Sequence, residues 1–590
     1  MKKLFSFLFA ALLPMVASAY GGQILPDARI NGIYYNFSGD EAIVTYKLFD
    51  ASYGTFESGY TGDVVVPASV VYGGKTYNVT EIGSSAFMES TVTSVTIPES
   101  VKLINEGAFY GCSSLTAVTI PGSVTNFGNH AFRGCSNLTS VTICDGVTVL
   151  GNTMFSDCSS LVSVTLPNSL TSIGGSAFDN CKSLTNITIP SSVTSIGGAA
   201  FSGCSSLTSV SIPSGVTRIE DNTFSGCTSL ASVVIPQGVK RIGEYAFYGC
   251  SSLATASVLD DVTEAGKCAF EGTLWFDKQP DGLIYVGRVA YKYKGEMPEG
   301  TEIEIKEGTC QIATEAFSGC AGLISITLPD GLVDIGDWVF KRCSNLVSFR
   351  IPESVTSIGE SAFYACRSLT SMIIPEGVTI IKDGTFNGCV GLTSLTIPEG
   401  VKSIGEFAFQ ICYSLNSFTI PESVTTIKTR AFYGCTGLTS IVIPNNETEI
   451  GESAFYNCNA LKAIVISSGM KKINKFAFNK LSSLTTVYCL AETIPITEKN
   501  SFNDSPVGSA TLYVPEGSVE KYQKSSPWSN FGSIKAIGDD TVIGADETGI
   551  DSPTLTSLKE EGQIFNLAGQ RISKPAHGIY LKNGKKVLMK

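Results

Sequence analysis

The sequence predicts a mainly β solenoid of about 17 stacked coils, and two observations support this. The phrase A-F-x-G-C-x-x-L-T-S-V-x-I-P recurs along most of the 590 residues, and its phenylalanines keep a spacing of 23 after a first step of 22, apart from one gap between Phe270 and Phe317. One copy would bury about six apolar side chains, each of which stabilises it by about 2 kcal/mol. Ordering the backbone costs roughly 1–2 kcal/mol for every residue of the copy, so the total cost exceeds the total gain. Copies must therefore stack and share their apolar faces. The repeat phenylalanines are Phe87, Phe109, Phe132, Phe155, Phe178, Phe201, Phe224, Phe247, Phe270, Phe317, Phe340, Phe363, Phe386, Phe409, Phe432, Phe455 and Phe478.

Each copy, called a coil below, predicts one strand and one turn. In the copy that begins at Phe201, Leu207, Val210 and Ile212 have the spacing of inward-facing residues, the last two on one face of a strand. Pro213 lacks the N–H that a ladder needs and ends the strand. Val216 and Ile219 supply a second inward pair. Repeats of this kind are predicted over residues 80–270 and 317–489.

Cysteine occupies one fixed position of the repeat. Fourteen of the 18 cysteines lie three residues after the repeat phenylalanine. They are the seven from Cys112 to Cys250 and the seven from Cys320 to Cys458 that keep the 23-residue spacing. Equivalent positions in adjacent coils point the same way, and cysteine is a good small buried hydrophobe, so we favour a column of buried thiols. Disulfides are the alternative for a secreted chain, and zinc is disfavoured because no C-x-x-C pair or histidine cluster is present.

The first 19 residues predict a signal peptide. Lys2 and Lys3 form the positive end, Leu4 to Val16 the apolar core, and Ala17-Ser18-Ala19 a small-residue cleavage site. The mature chain is expected to be secreted or held at the outer cell surface. No later apolar run is long enough for a transmembrane helix. The net charge of −12 argues against nucleic acid as a partner.

The remaining segments differ from the repeat. Residues 20–79 and 490–537 predict β-rich caps for the two ends of the stack, because terminal coils otherwise expose apolar faces. Residues 271–316 interrupt the repeat with an aromatic-rich segment, which predicts a hairpin around Val286-Gly287. Residues 538–554 are acidic and rich in turn-forming residues, and predict a linker to a small β segment at 555–590.

The repeat phrase resembles the 23-residue leucine-rich repeat of BspA-like, or Treponema-type, bacterial surface proteins. This resemblance covers about residues 80–490 and implies a curved parallel-β solenoid with little helix. It also implies adhesion, since BspA-like proteins are associated with binding host extracellular proteins such as fibronectin and fibrinogen. The C-terminal segment resembles sorting segments of secreted Bacteroidetes proteins, through Phe565 to Gln570, Gly578 to Tyr580 and Gly584 to Val587. A plain hairpin is the alternative.

The sequence predicts no enzyme. Only two histidines occur, His130 and His577, and no catalytic, cofactor-binding or metal-binding pattern stands out. The candidate ligand-contact face is instead the set of polar residues beside the inward positions of the strands, which should point outward. It comprises Ser140, Thr142, Ser163, Thr165, Asn186, Thr188, Ser209, Ser211, Ser325, Thr327, Ser394, Thr396, Ser417 and Thr419. Simple strand propensity of threonine is the competing explanation.

The function expected from these features is non-enzymatic, adhesin-like binding of host or neighbouring-cell macromolecules. The partners would be extracellular matrix-type proteins or glycans. A glycan-binding module is one alternative, for which Tyr110, Tyr248, Tyr364, Tyr433 and Tyr456 are candidate aromatic platforms. A structural spacer in the cell envelope is the other. No cofactor is expected, and the oligomeric state stays open.

Overall fold

The computed structural model describes residues 23–50, 53–257, 261–444 and 448–537, with the backbone of 564–565, 578–582 and 585–589. The predicted signal peptide (1–19) and linker (538–554) lie outside the described residues. The chain forms two compact units, one ending at Pro280 and the other beginning at Asp281. The boundary therefore falls inside the aromatic interruption, and each unit is a β-solenoid with little helix.

In its described residues, the first unit contains 23 strands and one short helix. In chain order they are β1 (Gln23–Ile24), β2 (Ala28–Ile30), β3 (Ile33–Ser38), β4 (Glu41–Thr45), β5 (Leu48–Asp50), β6 (Thr55–Glu57), β7 (Thr61–Val65), β8 (Ser69–Tyr72), β9 (Lys75–Ile82), β10 (Thr91–Thr96), β11 (Leu103–Ile104), β12 (Ala117–Ile120), β13 (Asn126–Phe127), β14 (Ser140–Ile143), β15 (Val149–Leu150), β16 (Ser163–Thr165), β17 (Ser172–Ile173), β18 (Ser195–Ile196), β19 (Arg218–Ile219), β20 (Ser232–Val234), β21 (Arg241–Ile242), β22 (Thr255–Ser257), β23 (Glu264–Ala265) and α1 (Leu274–Asp277).

Within each unit, most neighbouring coils are joined by parallel pairing on one or both of two sides. The L-x-x-V-x-I segments form the longer ladder, in which β7, β10, β12, β14 and β16 make one five-stranded sheet. The V-T-x-I segments form a second ladder of two-residue strands, such as β19, β21 and β23. Between β16 and β20 the longer ladder is reduced to single parallel bridges through Asn186, Ser209 and Ser232. Two of the predicted strands are therefore extended segments there.

The turn that contains A-F-x-G also joins neighbouring coils. The backbone N–H of Phe201 donates to the carbonyl oxygen of Thr223 at 2.9 Å, and that of Gly203 donates to Ser225 at 2.7 Å. Gly203 has φ of 68°, a left-handed conformation that glycine adopts without a steric penalty. The glycine of the repeat phrase is therefore explained by the backbone that this tight turn requires.

The core of each coil is built around the repeat phenylalanine. Phe178, Phe201 and Phe224 are fully buried, and their rings stack nearly parallel with centroid separations of 5.4 and 5.5 Å. The stack begins with Tyr60, whose ring lies 4.3 Å from that of Phe87. It closes at Trp275 of α1, whose ring lies 4.7 Å from Phe270.

The N-terminal cap is β-rich, as predicted, and it also extends the stack. Strands β2, β3 and β4 form an antiparallel meander, and β4 then pairs in parallel with β9. Strand β9 in turn pairs with β11, and β7 pairs with β10. The cap thus contributes parallel strands to both ladders although it lacks the repeat phrase.

The second unit contains the remaining strands and α2. In chain order they are β24 (Gly282–Val286), β25 (Val289–Lys294), β26 (Thr301–Glu304), β27 (Gln311–Ile312), β28 (Leu323–Thr327), β29 (Asp334–Ile335), β30 (Ser357–Ile358), β31 (Ser371–Ile373), β32 (Ile380–Ile381), β33 (Ser394–Thr396), β34 (Ser403–Ile404), β35 (Thr426–Ile427), β36 (Ser440–Ile443), β37 (Glu449–Ile450), β38 (Ala463–Ile466), β39 (Lys472–Ile473), β40 (Thr486–Cys489), β41 (Ile496–Thr497), β42 (Thr511–Pro515), α2 (Val519–Gln523), β43 (Ser533–Ile537), β44 (Ile564–Phe565), β45 (Gly578–Lys582) and β46 (Lys585–Met589).

The second unit repeats the same architecture. Strands β24 and β25 form the antiparallel hairpin predicted around Val286-Gly287. Strand β25 then pairs in parallel with β27, and β26 with β28, so the interruption itself adds to the stack. At the other end Phe502 extends the phenylalanine stack beyond Phe478, at 5.3 Å. Strands β41, β42 and β43 continue the two ladders through the predicted C-terminal cap.

The predicted number of coils was therefore too small. The described residues of the two units form about 20 turns, whereas counting the repeat phrase predicts about 17. The additional turns come from the caps and the interruption, whose backbones pair in parallel without the consensus side chains. The β-solenoid class, the β-rich caps and the small β tail are confirmed, the last by the antiparallel sheet of β44, β45 and β46.

Candidate functional site

The predicted contact residues of the first unit lie in register on consecutive coils. Ser140 pairs with Ser163, and Thr142 with Thr165, through the parallel ladder of β14 and β16. Because Val141 is inward and 2% exposed, its neighbours on either side must point outward. The result is two parallel columns of hydroxyl groups, spaced by about 4.8 Å from coil to coil.

The exposure of these residues agrees with that geometry. Of the 14 predicted residues, Ser140 and Ser325 are half-buried and the others are exposed. The column through Thr142 also extends further than predicted, because Thr119 pairs with Thr142 and is exposed as well. The structure brings the predicted residues together within each unit, and their contact with a ligand remains a prediction.

In the second unit the columns are interrupted by other side chains. Ser371 pairs with Ser394, and exposed Ile373 pairs with Thr396. Ser348 Oγ lies 3.0 Å from Ser371 Oγ, which joins two coils by a side-chain hydrogen bond. Ser417 and Thr419 keep the 23-residue offset outside any regular strand.

A cavity of about 250 Å³ lies where Arg350 breaks the column. It is lined by Ile326, Thr327, Leu328, Phe349, Arg350 and Pro352.

A third outward column was missed by the sequence prediction. It consists of the residue directly after the repeat leucine, usually threonine, and Thr116, Thr139 and Thr208 are all exposed. Thr139 Oγ1 donates to the carbonyl oxygen of Thr116 at 3.0 Å, and Thr208 Oγ1 to that of Thr185 at 3.2 Å. These hydroxyls thus tie each coil to the one before it. The signal was the recurring T of L-T-S-V.

Carboxylates stand at the first strand of each unit's column. Asp63 on β7 accepts hydrogen bonds from Thr93 Oγ1 (2.8 Å) and Ser94 Oγ (2.6 Å). These bonds, that from Ser94 above all, hold the pKa of the Asp63 carboxyl below its ordinary value. In the second unit the exposed Glu302 and Glu304 precede Ser325 and Thr327 on the paired strand. A ligand on either column would therefore meet neutral hydroxyls bordered by negative charge.

Two of the candidate tyrosine platforms are covered by their neighbours. The rings of Tyr433 and Tyr456 stack on each other at 4.9 Å with an interplanar angle of 3°. Arg430 lies over the Tyr433 ring at 5.9 Å, and Lys480 over the Tyr456 ring at 5.4 Å. Stacking of a sugar on an aromatic ring needs an open ring face, and each of these rings already gives one face to the other. Tyr248 is more open, at 46% exposed.

The thiols of the cysteine column are unreactive. Its members carry free thiols and are buried, except for half-buried Cys320. Burial raises the pKa of Cys204, Cys389 and Cys458 to about 12 in each case. Because the thiolate is the nucleophile and the metal ligand, these thiols are inert at neutral pH.

His130 is part of a turn. Its Nδ1 lies 2.6 Å from Thr153 Oγ1 in the next coil, and the residue has a left-handed backbone with φ of 62°. Burial, with a smaller contribution from the charge of Arg133, lowers the pKa of the imidazole. His577 lies outside the described residues. Within the described ranges, no group of three or more His, Cys, Asp or Glu residues is arranged to hold a metal ion.

A stack of parallel-β coils with a leucine-containing 23-residue period defines the class of leucine-rich repeat proteins. The family model for the BspA type leucine-rich repeat region matches residues 80–204, 150–274, 286–416 and 402–525. These matches span most of the chain, and the protein belongs to this family. Its fold is typically a binding scaffold, and BspA-type repeat proteins are surface-associated.

Several solved structures are similar to the chain. A leucine-rich repeat protein from Bacteroides ovatus is 29% identical, with 75% of this chain and 95% of that chain covered and a TM-score of 0.35. A leucine rich cell surface protein from Faecalibacterium prausnitzii is 26% identical, with 62% and 94% covered and a TM-score of 0.28. A leucine rich repeat protein from T. pallidum is 31% identical, with 38% and 87% covered and a TM-score of 0.29.

No curated protein matches the chain. In the part of the chain that the structure describes, none of the helices has the length and apolar character needed to cross a bilayer.

Proposed function

We propose that this protein is a secreted, surface-associated binding protein that acts without catalysis and holds host or neighbouring-cell macromolecules in an adhesin-like manner. The observation that supports this most directly is the in-register pair of hydroxyl columns through half-buried Ser140 and exposed Thr142. A flat row of neutral donors and acceptors repeats at the spacing of the coils. Such a surface suits an extended polar partner better than a small substrate, which binds in a concave pocket.

The proposed partners are extracellular matrix-type proteins. Membership of the BspA type family supports a protein-binding role, and the bordering carboxylates Asp63, Glu302 and Glu304 favour a partner with basic groups at matching positions. Export by the N-terminal segment 1–19 and attachment through the C-terminal segment 555–590 complete the proposal. Surface labelling of intact cells, with and without residues 555–590, tests the attachment.

The contact face can be tested with charge variants. In the triple variant Thr142→Lys, Thr165→Lys and Thr188→Lys, three bulky cations stand on one column. The matched control is Thr148→Lys, Thr171→Lys and Thr194→Lys. It places the same exchange on exposed positions of the V-T-x-I segments, which form the ladder of two-residue strands and are called the short-strand side below. Immobilised fibronectin and fibrinogen serve as the protein probes, and a glycan array serves as the carbohydrate probe.

We expect the first variant to weaken binding of the protein probes by about tenfold or more, or about 1.4 kcal/mol, and the control to bind like the original chain. Equal loss in both variants, or no loss in either, would contradict the assignment of the face. Binding confined to the glycan array would support the glycan-binding alternative, and no binding to any probe would favour a structural spacer.

A further inference from the structure

A second apolar cluster lies outside the main core of the second unit. It is centred on Val465 of β38 and Tyr488 of β40, with Val442, Leu490 and Tyr513 packed against it. Val442, Val465, Tyr488 and Tyr513 occupy successive copies of the outward position that is Thr142 in the first unit, as the parallel register of β36, β38, β40 and β42 shows. The outward column is therefore apolar in the last coils. We call Val442, Val465, Tyr488, Leu490 and Tyr513 the outer apolar patch.

The centre of this patch is covered. Val465 is 1% exposed and Tyr488 is 2% exposed, whereas Val234 and Ile373 at the same position of other coils are 68% and 67% exposed. Val465, Tyr488, Val234 and Ile373 all have a coil on either side. The presence of neighbouring coils therefore does not by itself bury a side chain at this position. All four residues of β38 are buried, while a strand with one solvated face shows alternation. A second layer therefore lies over β38 and β40.

We propose that this layer is the chain's own C-terminal sheet, formed by β44, β45 and β46. Strand β43 ends at Ile537 in the same sheet as the patch, in the order β36-β38-β40-β42-β43. Three strand spacings of about 4.8 Å, or about 14 Å, separate β43 from β38. The segment 538–563 has 26 residues, and an unstructured chain of that length has a root-mean-square reach of about 28 Å. The segment is long enough to return to the patch.

The C-terminal sheet also needs such a partner. The sheet is little more than the β45–β46 hairpin, because β44 adds only two residues, and an isolated hairpin is marginally stable in water. Its strands contain the runs Ile579-Tyr580-Leu581 and Val587-Leu588-Met589, and unbroken apolar runs are typical of strands that are covered on both faces. Docking on the outer apolar patch would bury one side of the sheet. It would also fix the C-terminal segment beside the last coils and leave the hydroxyl columns elsewhere open.

Photo-crosslinking of the full chain tests the docking. The photo-reactive residue p-benzoylphenylalanine replaces Tyr488 in one variant and Ile373, in the same unit, in the control. We expect irradiation of the Tyr488 variant to give crosslinks to peptides within 564–589 of the same molecule, and the control to give none to these peptides. Mixing isotopically labelled with unlabelled chains separates crosslinks within one molecule from crosslinks between two.

Crosslinks to residues 445–447 or 490–495, crosslinks between two molecules, or a yield no higher than in the control would each overturn the proposal. Hydrogen exchange gives a second readout. Val465→Lys should lower protection of β45 and β46 by about tenfold or more, and Ile373→Lys should leave it unchanged. Unchanged protection of β33 in both variants shows that the solenoid remains folded. Equal protection of β45 and β46 in both variants would also overturn the proposal.

Discussion

The thiol of Cys204 donates a hydrogen bond to the carbonyl oxygen of Phe178, one coil earlier, at 3.1 Å. The same bond recurs at 3.2 Å from Cys227 to Phe201 and at 3.1 Å from Cys389 to Phe363. Cysteine in the repeat thus fills a small buried space and gives the phenylalanine carbonyl a donor. Both roles favour a free thiol over a disulfide at this position.

Removing one of these thiols should destabilise the stack. Cys389 is fully buried, so Cys389→Ala loses a weak hydrogen bond and leaves a small cavity. We expect the free energy of unfolding to fall by about 1–3 kcal/mol, measured by urea denaturation. Cys144→Ala is the control, because Cys144 is only half-buried and off the column, and its effect should stay within about 0.5 kcal/mol. Equal effects would contradict the role of the column.

The buried thiols should make the protein sensitive to alkali. An unfolded thiol ionises near pH 8.5, whereas burial raises the pKa of Cys389 and Cys458 to about 12. Between these values the unfolded chain loses protons that the folded chain retains, so the free energy of unfolding falls as pH rises. Each such thiol contributes up to about 1.4 kcal/mol per pH unit, and little of this loss occurs below about pH 8.

Urea midpoints measured at pH 7.5 and pH 10 check this expectation. The double variant Cys389→Val and Cys458→Val cannot ionise at these positions, and we expect its midpoint to fall less between the two pH values than that of the original chain. An equal fall would assign the alkaline loss to other groups, such as Tyr35, whose pKa burial also raises to about 12.

Much of the fold can be predicted from the sequence because the same residue types recur at the same positions in every copy of the repeat. The spacing of Leu207, Val210 and Ile212 predicts an inward face, and all three are buried. The additional coils could not be predicted in this way. Parallel pairing of β7 with β10, or of β42 with β43, uses backbone groups that every residue except proline carries in full, so no side-chain pattern marks it. The division after Pro280 has the same origin, since the interruption lacks the phrase.

The candidate face was predictable only in part. Residues on either side of an inward valine, such as Ser140 and Thr142, point outward by strand alternation alone. Thr139 was missed because two residues separate the inward leucine from the inward valine, and simple alternation does not place the first of them. The burial of Val465 could not be predicted either, because Val465 is the same residue type at the same repeat position as the exposed Val234.

The phenylalanine stack should be the most sensitive part of the core. Phe201 is fully buried between Phe178 and Phe224, so Phe201→Ala should cost about 3–5 kcal/mol. Because each coil is stabilised mainly by its neighbours, loss of hydrogen-exchange protection should be greatest in the coils next to Phe201 and should decrease with distance. Tyr248→Ala removes a half-exposed ring as a control and should cost less than about 1 kcal/mol. A uniform loss across the unit would contradict this nearest-neighbour behaviour.

Arg241 should stabilise the short-strand side of the first unit through three carboxylates. Its Nη1 lies 2.8 Å from Glu220 Oε2, its Nη2 3.1 Å from Asp221 Oδ1 and its Nε 2.7 Å from Glu264 Oε1, and its side chain is 19% exposed. Arg241→Ala leaves these carboxylates to repel one another across two coils.

We expect Arg241→Ala to lower the free energy of unfolding by about 1–3 kcal/mol at low salt, as measured by urea denaturation. The loss should shrink in 1 M NaCl, because salt screens the repulsion between the remaining carboxylates. Arg218→Ala is the matched control. Arg218 pairs with one carboxylate among the described residues, that of Glu220 at 3.1 Å, and its side chain is 55% exposed, so its removal should cost less than about 1 kcal/mol. Similar losses in the two variants, or a loss for Arg241→Ala that does not depend on salt, would show that the network stabilises the coils by packing and not by charge.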